Sequence, residues 1–302
     1  MQKNITLNDR YQGCLLGLAC GDAVGTTLEF KPRDRFKSIT DMIGGGKFRL
    51  EAGQWTDDTS MALCLAESLI ERQGFDAKDQ MQRYWKWVNE GYYSCKPHAF
   101  GIGKTIINAL LSFNKTGEAY SGSTSPTTAG NGSIMRLAPV VLYYYPDYEQ
   151  SIYHAGESSK TTHGAEECVL ACQLLASVIF NALAGKDKHT TLFTHKLDDE
   201  KYPETISSLM RGDYCQKSRD EIKGSGYVIE SLEAALWCFY STDNFKDAIL
   251  LAANLCDDAD TTAAICGQVA GAYYGVKGIP QNWLDKLAMM DDIVDLSENI
   301  HV

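Results

Sequence analysis

The ten cysteines form neither a CxxC pair nor any Cys/His spacing of the zinc type, which removes the common structural zinc modules from consideration. Cys14, Cys64, Cys168, Cys172, Cys238 and Cys266 lie inside apolar stretches, and a chain of 302 residues needs no disulfides to fold. They read as reduced, buried small hydrophobes, and the protein as a cytoplasmic one. Positive charge is scarce: 28 basic against 39 acidic residues give a net −11, which disfavours a general nucleic-acid-binding role. A small anionic ligand stays open, because local amides and a cation override a global field. No apolar run suits a membrane span, since the longest, Cys168 to Ala184, is broken by Gln173 and Asn181 and reads as a buried core helix. Met1-Gln2-Lys3-Asn4-Ile5 lacks the apolar run of a signal peptide. Alternating strands, strand–helix alternation, interdomain linkers and fixed-period repeats are also missing.

What remains is helical. The periodicity predicts helices over Asp9–Gly21, Thr59–Arg72, Asp79–Glu90, Gly103–Asn114, Ala165–Ala184, Tyr227–Tyr240, Phe245–Leu255, Thr261–Gly275 and Pro280–Met290. An all-α, compact single domain over residues 1–302 follows. Lys31–Gly53, with Gly44-Gly45-Gly46, reads as a loop, as does the Ser/Thr/Gly-rich Ser121–Gly132. Thr194–Gly226 is charged and irregular and reads as a solvent-facing excursion. Two glycine rows, Gly13, Gly17, Gly21, Gly25 and Gly267, Gly271, Gly275, recur every fourth residue. Each interior helical glycine costs about 1 kcal/mol against alanine, so the rows imply close approach of a neighbouring helix.

Two acidic clusters begin apolar helices about two hundred residues apart: Trp55-Thr56-Asp57-Asp58-Thr59 and Asp257-Asp258-Ala259-Asp260-Thr261. As isolated features they are ordinary N-caps, favoured by the helix dipole. Brought together, five carboxylates would repel unless protons or cations compensated. Such hard oxygen donors suit Mg²⁺, Mn²⁺ or Ca²⁺ rather than zinc.

Three further segments carry chemistry only in combination. Thr128 to Arg136 contains Gly130-Asn131-Gly132-Ser133, whose glycines permit close backbone approach and an anion-binding nest; a plain flexible turn has the same composition. His163, just before a long helix, suits a ligand hydroxyl or phosphate or a structural role. Tyr227, after Gly224-Ser225-Gly226, suits stacking on a ring or simple packing.

In this order the segments resemble the ADP-ribosylglycohydrolase family. The matching pieces run from Gly13-Cys14-Leu15-Leu16-Gly17 through Gly21-Asp22-Ala23-Val24-Gly25 and Glu29 to Trp55-Thr56-Asp57-Asp58-Thr59. They continue with Gly130-Asn131-Gly132-Ser133-Ile134-Met135-Arg136, Thr162-His163, and Gly226-Tyr227-Val228 leading to Leu232-Glu233-Ala234-Ala235-Leu236-Trp237. Asp258-Ala259-Asp260-Thr261 closes the series. The resemblance implies a helical domain with two Mg²⁺ or Mn²⁺ ions at the base of a central cleft, held by Thr56, Asp57, Asp58, Asp258, Asp260 and Thr261. It implies Glu29 on a closing segment, and Gly130, Asn131, Gly132, Ser133, Met135, His163 and Tyr227 around the substrate. Catalytic roles fall to Glu29, Asp58, Asp258 and Asp260.

The implied reaction is hydrolysis of the glycosidic bond at the distal ribose of an ADP-ribosylated acceptor. Protein arginine is the leading acceptor; serine or other O-linked forms and small conjugates are the alternatives, and a monomer is expected. A non-catalytic ADP-ribose-binding protein and a phosphohydrolase cleaving the pyrophosphate are the readings from other classes. Two positions depart from the family pattern. Asp257 stands where a small residue, often glycine, is usual, and Gly101 stands where some relatives carry an acid.

Overall fold

A computed structural model describes residues 5–196 and 202–301. Its helices, in chain order, are α1 (Leu7–Gly25), α2 (Asp57–Arg72), α3 (Ala77–Glu90), α4 (Lys104–Thr116), α5 (Ala138–Tyr144), α6 (Tyr148–Lys160) and α7 (Glu166–Leu183). They continue as α8 (Lys188–Phe193), α9 (Glu204–Arg211), α10 (Val228–Tyr240), α11 (Phe245–Ala253), α12 (Ala259–Tyr274), α13 (Gln281–Leu284) and α14 (Met290–Asn299). No strand occurs among the described residues; three isolated bridges tie loops together.

At the centre, α1 and α12 run antiparallel in the most extensive helix–helix contact of the fold. The glycine rows are the reason. A Cβ at Gly13, Gly17, Gly21 or Gly25 would stand 2.3, 2.3, 2.1 or 2.3 Å from the carbonyl oxygen of Gly271, Gly267, Ala263 or Ala259 respectively. Only hydrogen fits between the two backbones. This register sets the C-terminal end of α1 against the start of α12, where the second acidic cluster lies.

Around that pair pack α2, α7, α10 and α11, with α14 and α5 against α1. One apolar core joins them, including the buried Leu15, Leu18, Leu63, Leu175, Leu236 and Ile265. Local signals set the helix starts. Thr6 and Asp9 form a reciprocal capping box on α1, and Asp76, Asp147 and Asn244 cap α3, α6 and α11. Among the described residues α7 alone is long and apolar enough to cross a membrane; its apolar side faces the core. The ten cysteines are all free, eight of them buried.

Several sequence expectations need correction. Pro280–Met290 is not one helix. After the single turn of α13 the chain breaks: Ala288 N–H donates to Gly53 O at 3.0 Å and Met289 is left-handed at φ 54° before α14 begins. The break also lets Ala288 O accept from Trp55 Nε1 at 3.1 Å, so it buttresses the first acidic cluster. Helices α5, α6, α8 and α14 have no counterpart among the helices the periodicity predicts. Thr194–Gly226 is not wholly irregular, because α9 buries Ile206, Leu209 and Met210. Residues 197–201 of that segment lie outside the described residues, as do 1–4 and 302.

Candidate active site

Asp22, in the last turn of α1, is completely buried and is the residue that organises the site. Its Oδ1 and Oδ2 accept from Thr56 N–H at 2.9 and 3.0 Å. Oδ1 accepts from Thr56 Oγ1 at 2.8 Å, and Oδ2 from Thr59 N–H and Oγ1 at 3.1 and 2.7 Å. A carboxylate from another helix thus does the work of an N-cap for α2, whose own N-cap residue Thr56 makes no such bond. Sequence reasoning gave Asp22 no role, because it sits in a run of buried small residues that reads as helix interior.

With α2 fixed against α1, and α1 locked to α12, the two acidic clusters meet. Carboxylate oxygens of Asp22, Asp58 and Asp260 lie within 4.8 Å of one another. Thr56 Oγ1 is 3.3 Å from Asp58 Oδ2 and 3.4 Å from Asp260 Oδ2, while Thr261 Oγ1 stands 3.5 Å from Asp58 Oδ2. Thr56 has one hydroxyl proton, and its shortest side-chain bond is to Asp22. Its lone pairs therefore point into a space already ringed by acceptors.

Three buried carboxylate oxygens there, Glu29 Oε2, Asp58 Oδ1 and Asp260 Oδ1, have no hydrogen-bond partner. Burial, reinforced by the neighbouring carboxylates, holds Asp57, Asp58 and Asp260 well above the ordinary aspartate range. Burial also raises Asp22 and Asp258. Burial together with the charge of Asp258 pushes Glu29 up to about 7. Orphaned hard oxygens in a shared field of negative charge are the donor set a divalent cation requires.

The second cluster is presented by a strained turn. Cys256 and Asp257 both adopt left-handed backbone, at φ 63° and 60°, a conformation that costs a non-glycine residue on the order of 1 kcal/mol. Glycine, with no Cβ, would adopt this conformation without that cost. The turn is held by Phe30 N–H donating to Asp257 O at 2.6 Å and Asp257 N–H donating to Lys31 O at 3.0 Å. Glu29 is thereby placed beside Asp258, while the Asp257 side chain is exposed.

Above the carboxylates lies a cleft of about 250 Å³. Glu29, Asp57, Asp258, Asp260 and Thr261 form its acidic side. Gly130, Asn131, Gly132, Met135 and His163 face them across it, and Gly101, Gly103 and Lys104 at the start of α4 complete the mouth. The Gly130 loop is bridged to the loop before α10: Asn131 N–H donates to Gly226 O at 3.1 Å and Val228 N–H to Ala129 O at 3.0 Å. Asn131 Nδ2 donates to Asp258 Oδ2 at 2.7 Å and to Ser231 Oγ at 3.1 Å.

Ser133 and Tyr227 are not among the lining residues. Ser133 Oγ accepts from Ser159 Oγ at 2.9 Å in the interior, and Tyr227 OH donates to Glu167 Oε2 at 2.7 Å. Both support the two loops from behind. At Gly101 (φ 81°) a Cβ would stand 2.4 Å from Asp57 Oδ1. Any side chain there, an acid included, would displace Asp57.

Comparison with known proteins agrees with this architecture. A profile of the ADP-ribosylglycohydrolase family matches residues 3–302. The ADP-ribosylarginine hydrolase Tri1 of Pseudomonas putida (strain GB-1) is 48% identical over 97% of this chain and 78% of its own length. Its namesake in Serratia proteamaculans (strain 568) is 44% identical over 97% and 79%. An ADP-ribosyl-dinitrogen reductase glycohydrolase of Rhodospirillum rubrum is 29% identical over 94% and 92%. A solved ADP-ribosylglycohydrolase-related protein complex contains a chain that superposes with a TM-score of 0.87, at 40% identity and 97% coverage of both chains.

Proposed function

The chain belongs to the ADP-ribosylglycohydrolase family, and we propose that it removes ADP-ribose from modified protein arginine by cleaving the glycosidic bond at the distal ribose. The arginine acceptor is supported by the two relatives named for ADP-ribosylarginine. The observation that carries the reading is that Glu29 and Asp260, which line the cleft, and Asp58, buried beside Asp260, each leave a carboxylate oxygen orphaned.

Thr56, Asp57, Asp58, Asp258, Asp260 and Thr261 would hold two divalent ions, Mg²⁺ or Mn²⁺. Such ions would supply Lewis acidity for orienting ribose hydroxyls and acidifying a water. Asp22, whose oxygens are already taken by Thr56 and Thr59, orders this set rather than joining it.

The chain's own groups do the rest. The carboxylates stabilise positive character at the anomeric carbon, as in glycoside hydrolysis generally. Glu29, which lines the cleft beside Asp258, is the carboxyl placed to take or release a proton during bond cleavage. Asp58, Asp258 and Asp260 provide the field in which that carboxyl titrates. Gly130, Asn131, Gly132 and Met135 shape the wall against the diphosphate and ribose, and His163 offers a hydrogen bond there. Ser133 and Tyr227 act by fixing the loops.

Residues 1–302 work as a single domain in this account, supported by the one continuous core. The enzyme is a cytoplasmic monomer whose partner is the ADP-ribosylated protein, without nucleic acid or membrane, in keeping with the net charge of −11. The test is release of ADP-ribose from an arginine-modified protein, set against a serine-modified one. Turnover of the serine conjugate alone would reassign the acceptor.

A further inference from the structure

Arg136 is completely buried, and among the described residues no carboxylate pairs with it. Its guanidinium lies over the Tyr84 ring at 4.6 Å. One terminal nitrogen donates to Gly132 O at 3.0 Å and the other to Thr162 Oγ1 at 2.7 Å. Thr162 is also completely buried, and its Oγ1 lies 2.9 Å from Nδ1 of His163. A guanidinium only donates, so the Thr162 oxygen is an acceptor in the Arg136 contact. The hydroxyl proton then has one partner in reach, the Nδ1 lone pair. Were Nδ1 protonated instead, that buried hydroxyl proton would have no acceptor, and an unmade buried hydrogen bond carries its full desolvation penalty.

The ring's other nitrogen, Nε2, makes no hydrogen bond to the protein among the described residues. It lies against Gly130 and Gly132, where Cβ atoms would come within 3.5 and 3.1 Å of it, and His163 lines the cleft. We propose that Arg136 and Thr162 are positioning residues that lock His163 as the Nε2–H tautomer, so that it presents a neutral donor to an acceptor-only oxygen of the substrate, of the phosphoryl type. The sign of the contact depends on this. With Nε2 unprotonated, two lone pairs would face each other; with Nε2–H, the contact is a hydrogen bond. Burial and the adjacent Arg136 charge keep the ring neutral, with a pKa of about 3, so the donor persists unchanged across physiological pH.

The phosphoryl ligand rests on the proposed function; the tautomer does not, and the two are read separately. Nitrogen-15 NMR of the imidazoles reports the tautomer in the protein alone, with His163→Gln identifying its signals among the six histidines. The expected result is a protonated Nε2 and an unprotonated Nδ1 from pH 5 to 9. Thr162→Val should abolish this single-tautomer signature and weaken ADP-ribose binding at least about tenfold, as loss of a hydrogen bond to a charged group does. Thr162→Ser should restore both, which a purely structural role for the threonine methyl would not produce. Protonated Nδ1 in the wild type, or a valine variant that keeps both signature and affinity, overturns the proposal. A protein with the expected tautomer that binds no ADP-ribose upholds the lock and refutes the functional reading instead.

Discussion

Replacing Glu29 with glutamine should stabilise the chelator-treated protein, and should do so more at pH 8 than at pH 5. A glutamate carboxyl of ordinary value 4.5 sits here at about 7, chiefly through burial and the charge of Asp258. Below pH 4.5 the group is protonated folded and unfolded, and its contribution to stability is fully present. As pH rises through 7 the folded state must ionise it inside the acidic cluster, and that contribution is lost. At about 1.4 kcal/mol per pH unit between the two values, the loss is about 3 kcal/mol at pH 8 and about 1 kcal/mol at pH 5. These are upper limits, because the turn bearing Glu29 can swing toward solvent at less cost. Glutamine mimics the protonated form at every pH. For a chain of this size, about 2 °C in Tm per kcal/mol predicts a gain of up to about 6 °C at pH 8 and about 2 °C at pH 5. Thermal unfolding in chelator at both pH values is the assay. An equal gain at the two pH values, or a loss at pH 8, would refute the reasoning.

Other substitutions probe the remaining links. Asp58, Asp258 or Asp260 changed to Ala should abolish metal-dependent turnover and the Mg²⁺-induced rise in Tm; unchanged activity in all three would sink the metal assignment. Gly271→Ala places a Cβ 1.8 Å from Gly13 O and must part α1 from α12. A loss of about 2–4 kcal/mol in urea unfolding is expected, and an unchanged midpoint would contradict the close-approach account. Gly101→Asp should lower turnover by at least about tenfold, because its Cβ displaces Asp57; faster turnover would show that the missing acid is a real deficit.

The parts of this structure that follow from short-range pattern were readable in advance. Four-residue glycine spacing announced that α1 and α12 each have a close helical neighbour, though not that they are each other's, and Asp/Thr clusters ahead of apolar runs announced the starts of α2 and α12. Features that depend on a partner distant in sequence were not readable. Asp22 has the neighbours of a helix interior, and only the fold shows that Thr56 and Thr59 converge on it. The break at Met289 arises from Gly53 and Trp55, more than two hundred residues earlier. Arg136 was visible as the end of a glycine loop, but its burial without a carboxylate comes from Tyr84 and Thr162. Ser133 and Tyr227 carried plausible ligand chemistry that the interior had already engaged.

Release of free ADP-ribose from an arginine-ADP-ribosylated protein, measured with Mg²⁺ and with a chelator, is the decisive test. Release with Mg²⁺ that the chelator abolishes is the expected result. Equal release in both conditions would contradict the carboxylate cluster as a metal-dependent centre, and no release in either would contradict the proposed activity on arginine.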